Sequence, residues 1–117
     1  MGKNKNSILL AAICCLVVPV SGKACPDLSS YYPDADQEWG SVEETLAPLL
    51  SQCSDSSEYF ALLGTAQLRG NDLGRALETL ELALLLDPEN GAALVDYAEV
   101  LFQQGQLLAA LEINQQL

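Results

Sequence analysis

From Ser57 onward the chain repeats itself at an interval of 34 residues, and that period constrains its architecture more than any single motif. Apolar residues recur at spacings of three and four through Phe60, Leu63 and Gly64, and again through Leu73, Ala76, Leu77, Leu80, Ala83 and Leu84, with no alternation of period two. These are the marks of amphipathic helices. Between them Arg69, Gly70, Asn71 and Asp72 supply a turn, in which Gly70 or Asn71 takes the left-handed conformation that ends the first helix. Asp87, Pro88, Glu89 and Asn90 break the second helix, because proline lacks an amide and disfavours helix at the residue before it. A third helix starts near Gly91. Shifting the sequence by 34 sets Phe60 on Leu94, Leu63 on Tyr97, Gly64 on Ala98, Gln67 on Leu101, Leu73 on Leu107 and Ala76 on Ala110, with Asn71 meeting Gly105 at the turn. A unit of this kind cannot bury its apolar face alone, so the expected fold is all-α, antiparallel helix hairpins stacked as a short solenoid.

The residues at these positions resemble the tetratricopeptide repeat (TPR) family. Residues 57–90 carry Phe60-x2-Leu63-Gly64, then Ala76-x3-Leu80, Ala83 and Pro88; residues 91–117 carry Leu94-x2-Tyr97-Ala98-x2-Leu101, then Gly105 and Ala110. Departures fall at Gln67, where an aromatic is usual, at Asn114, where a large apolar side chain belongs, and at Gly70, one residue early. Small residues at Gly64, Ala76, Ala98 and Ala110 allow close approach of paired helices while Phe60, Leu63, Leu80 and their equivalents fill the space alongside. The resemblance implies a non-catalytic scaffold whose first helices line a concave peptide groove. Carried over by position, that groove comprises Glu58, Ala61, Leu62, Thr65, Leu68 and Arg69, then Val95, Asp96, Glu99, Phe102 and Gln103. Leu62, Asp96, Thr65 and Glu99 stand where carboxylate-clamping members hold Asn and basic residues. The groove is therefore expected to take a basic or apolar segment of a protein partner, with no direct small-molecule substrate.

Upstream, Ser41-x2-Glu44 ahead of Leu46, Leu49 and Leu50 reads as a capping box opening a short helix, with Pro48 kinking it or delaying its start. Leu46 and Leu49 fall 34 before Leu80 and Ala83, so this helix is expected to be the second half of a degenerate repeat. Cys25 to Gly40, with Tyr31, Tyr32 and Trp39, reads as an aromatic loop. Residues 25–56 thus form an N-terminal loop and capping helix, tied by a disulfide between Cys25 and Cys53. These are the two cysteines that remain if the leader is removed, and oxidising compartments form and keep such bonds.

That leader is residues 1–24. Lys3 and Lys5 precede the uncharged run Ile8 to Val20, and small residues follow at Ser21, Gly22 and Ala24, the layout of a secretory signal peptide. The run is shorter than the roughly 20 residues that a membrane-spanning helix needs. Cleavage after Ala24 is preferred to cleavage after Gly22. A lipid-modified Cys25 is the alternative, which Gly22 and Lys23 fit poorly. The expected location is the periplasm, or the periplasmic face of the outer membrane, of a Gram-negative bacterium. A second reading makes the repeats the periplasmic part of an outer-membrane β-barrel secretion or surface-assembly machine, with the barrel absent from this chain.

Sixteen acids against five bases give a net charge of -11 and there is no histidine. Loss of residues 1–24 leaves two arginines against sixteen acids, a net -14. Nucleic-acid binding needs Lys and Arg to displace counterions, so it is excluded as an expectation. Serine has no histidine partner, no glycine-rich phosphate loop occurs, and Asp87, Glu89 and Asn90 lack calcium-loop spacing. No enzyme activity, cofactor or metal is expected. The last helix ends before equivalents of Asp87 and Pro88, and Leu107, Leu108, Leu111, Ile113 and Leu117 present an apolar surface. The repeat over residues 91–117 is therefore read as incomplete, and the chain alone as marginally stable or self-associating through its C-terminal helix.

Overall fold

A computed structural model describes residues 24–34 and 38–117 of the chain. The leader expected over residues 1–24 lies, but for Ala24, outside them. Among the described residues every regular element is a helix. A 3-10 turn spans Ser29–Tyr31, α1 spans Trp39–Leu46, a second 3-10 turn Ala47–Leu49, and α2 Leu50–Cys53. Two hairpins follow: α3 (Ser57–Arg69) with α4 (Leu73–Leu86), and α5 (Gly91–Gln103) with α6 (Leu107–Asn114). Each helix packs on its hairpin mate, α5 packs on both α3 and α4, and α1 packs on α3. The result is the helical solenoid expected from the repeat.

Helix ends follow from local chemistry. Ser56, Asp72 and Asn90 each accept a hydrogen bond from the backbone N–H three residues on, at 3.1, 3.3 and 3.2 Å, opening α3, α4 and α5. The end of α3 is a Schellman turn. Asn71, at φ 62°, is the left-handed residue rather than Gly70. Its N–H donates to the Leu68 carbonyl at 2.9 Å, and the Asp72 N–H donates to the Gln67 carbonyl, also at 2.9 Å. Thirty-four residues later Gly105, at φ 81°, does the same at the end of α5.

The core runs along the stack. Leu46, Ala76, Leu80, Ala83, Ala93 and Val100 are wholly buried, and Val42, Phe60, Leu94, Ala98 and Ala110 nearly so. Gly64 marks the closest approach of α3 to α4, where a Cβ would lie 2.7 Å from Leu80 Cγ and Cδ2. Leu63 and Tyr97 are only partly buried at the core's edge. Pro88, grouped with the core from the sequence, is exposed in the turn after α4. It acts there through its backbone, as a helix break.

The upstream region departs from expectation in two places. Trp39 and Gly40 are not loop but the first turn of α1. Ser41 therefore caps nothing: it lies inside that turn, and its hydroxyl donates to the Glu38 carbonyl at 3.2 Å. Pro48 neither delays the helix nor merely kinks it: α1 ends at Leu46, and the chain tightens into 3-10 geometry at Pro48 before continuing as α2. Cys25 and Cys53 are disulfide-bonded. Leu28, three residues beyond Cys25, is buried in the core.

Candidate functional site

The concave candidate residues come from α3 and α5, which lie side by side because both pack on α4. Glu58, Arg69, Glu99, Phe102 and Gln103 are exposed, and Thr65 and Asp96 half-buried. Ala61, Leu62 and Leu68, placed on the groove by position alone, are instead buried within the stack. α3 carries a neighbour on each side, α1 upstream and α5 downstream, and these three residues are taken up by that packing.

Thr65 and Asp96 join the two helices. The Thr65 hydroxyl lies 2.9 Å from the Ala61 carbonyl and is hydrogen-bonded to the Asp96 carboxyl. Burial pushes the Asp96 carboxyl above its ordinary range. The Thr65 hydrogen bond opposes the shift, Glu99 adds to it, and Arg69 pulls the other way. Glu99 in turn accepts from Gln103 Nε2 at 3.0 Å. Tyr32, which the sequence did not single out for this face, joins it from the N-terminal segment: burial raises its phenol pKa, and the charges of Glu58 and Asp96 raise it further. Glu58, Asp96 and Glu99 thus form an acidic strip, with Arg69 the cation among the described residues that acts on Asp96.

A second connection, also missed from the sequence, fixes the hairpins against each other. Asn90 caps α5 with its carbonyl oxygen and donates from Nδ2 to Ser57 Oγ at 2.8 Å, and the Ser57 hydroxyl donates to the Ala83 carbonyl at 2.7 Å. This ties the start of α3, the end of α4 and the start of α5 together. In the sequence Asn90 reads only as part of the break after α4; its bond to Ser57 is not legible there, because Ser57 is 33 residues away.

Between α5 and α6 lies an open groove of about 520 Å³, floored by Ala98 and Ala110 and flanked by Val95, Phe102, Leu107 and Leu111, with Glu99 and Asn114 as its polar members. Among the described residues no group of three His, Cys, Asp or Glu side chains is placed to hold a metal ion. No helix there is long and apolar enough to cross a membrane.

Residues 67–117, from the last three residues of α3 to Leu117, match the family model described as Tetratricopeptide repeat. The match supports the TPR family over residues 67–117, and TPR domains are in general non-catalytic scaffolds that bind protein partners. In comparisons with curated proteins and with solved structures nothing matches the chain.

Proposed function

We propose that this chain is an exported, non-catalytic TPR scaffold that holds a basic or apolar segment of a protein partner in the periplasm. The observation that carries the partner's chemistry is the acidic strip of Glu58, Asp96 and Glu99 on adjoining helices, with exposed Phe102 beside it. Asp96 is held half-buried at a desolvation cost, which a cationic side chain placed beside it offsets. Export is supported by the order of Lys3 and Lys5, the apolar run and the small residues before Cys25, together with a disulfide in the fold.

Binding is tested with a labelled peptide of repeated Lys-Pro-Leu units, whose prolines prevent helix formation, against the same peptide with Glu for Lys. The Lys peptide is expected to bind, to weaken as salt rises, and to lose affinity with Glu58→Lys. Equal affinity for the Glu peptide would overturn the cationic preference. Export is tested by the intact mass of the secreted protein, which is expected to begin at Cys25 and to carry one disulfide.

A further inference from the structure

The groove between α5 and α6 repeats, 34 residues on, the surface of α3 and α4 that α5 itself covers. Residue by residue, Ala61, Gly64, Thr65, Leu68, Ala76 and Leu77 become Val95, Ala98, Glu99, Phe102, Ala110 and Leu111. The change in exposure between the two copies is large: Ala61 is 4% exposed against 51% for Val95, and Leu68 7% against 64% for Phe102. Covered by a helix in one copy, the same positions are open in the other.

From this we infer that the α5–α6 groove docks an amphipathic helix of a cationic partner, seated as α5 is seated on α3 and α4. Two features define that helix. The side of α5 with the most deeply buried residues, Ala93 and Val100, is narrow and apolar, so a visiting helix needs small or β-branched residues seven apart on its inner side. Between them α5 presents Asp96 to Thr65. The open groove has Glu99 where Thr65 stood, so an acid at the corresponding place on the visitor is repelled and a lysine or arginine is paired. The same electrostatics argues against a second copy of this chain, which carries a net charge of -11. The inference rests on the scaffold reading and adds to it a second contact, distinct from the extended segment on the acidic strip: a helical part of the partner, with the place of its charge.

The test uses the full chain and synthetic peptides of the α5 sequence, residues 90–104, either unaltered or carrying Asp96→Lys. Fluorescence anisotropy is expected to show the Lys peptide binding at least about tenfold more tightly than the unaltered one. The preference is expected to vanish when the protein carries Glu99→Thr, the residue α3 has at this place. Leu111→Ser in the protein, at a side chain 58% exposed and so tolerant of change, is expected to weaken binding with no loss of helical circular dichroism. A Lys peptide that also carries Val100→Pro is expected to bind at least about tenfold more weakly. Equal binding of the unaltered and Lys peptides to the native protein would overturn the inference, as would failure of the Lys peptide to bind folded protein. Equal binding of the proline-broken peptide would overturn the helix while leaving the scaffold reading intact. Sedimentation showing a dimer abolished by Leu111→Ser would assign the groove to a second copy and overturn the cationic partner.

Discussion

Gln67 sits at a position where its counterpart one repeat later is Leu101, and its Oε1 is buried with no hydrogen-bond partner. Desolvating an amide without replacing its hydrogen bonds costs about 1–3 kcal/mol. Gln67→Leu is therefore expected to stabilise the chain by about 1–2 kcal/mol, read as a higher urea midpoint at unchanged slope; a lower midpoint would mean the amide makes a bond that matters. Asp96 carries a second prediction, with its sign set by the raised pKa. A carboxyl that is easier to protonate in the folded state favours folding below its unfolded value, and that favour is lost as pH rises through its folded value. Asp96→Asn imitates the protonated form. It is expected to raise the melting temperature at pH 7 and to lose that advantage as pH falls toward the ordinary carboxylate range; a benefit independent of pH would separate the effect from titration. Both residues were visible in the sequence, Gln67 as a departure from the pattern and Asp96 as a groove position. The contact between Asp96 and Thr65 was not, because it depends on how closely two non-consecutive helices approach.

Hairpins and their turns were legible because helix spacing, turn residues and the 34-residue interval agree with one another. Where only a local signal was available, the reading stayed open or misled. Gly70 and Asn71 both tolerate the left-handed conformation, and the choice was made by the Schellman bonds, which need the turn to match its copy at Gly105. Asn71→Gly is expected to stabilise by about 0.5–1 kcal/mol, and Asn71→Ala to destabilise by about 1 kcal/mol, since a Cβ is disfavoured there and asparagine only partly compensates. Thermal melts of the two variants are expected to move in opposite directions; a shared direction would place the cap's worth elsewhere. The Ser41-x2-Glu44 motif misled because its spacing suits a helix start, yet the chain has already turned helical at Trp39, which packs against the core.

Across the whole molecule, the Cys25–Cys53 bond closes a loop over a sequence separation of 28 and ties the segment carrying Leu28 to the end of α2. Chain-entropy reasoning gives about 3–4 kcal/mol for such a closure. The Cys25→Ser, Cys53→Ser double variant is expected to lose about that much stability, with hydrogen exchange rising first in residues 24–34; unchanged protection there would show that Leu28 holds the segment unaided. The two ends of the stack are thus unlike. Upstream, a covalent tie and a buried leucine hold a segment over the first helices; downstream, a groove lies open. Among the described residues the stack therefore has a direction: a helix added at the downstream face meets a surface with no twofold counterpart upstream, so that contact is heterologous rather than isologous.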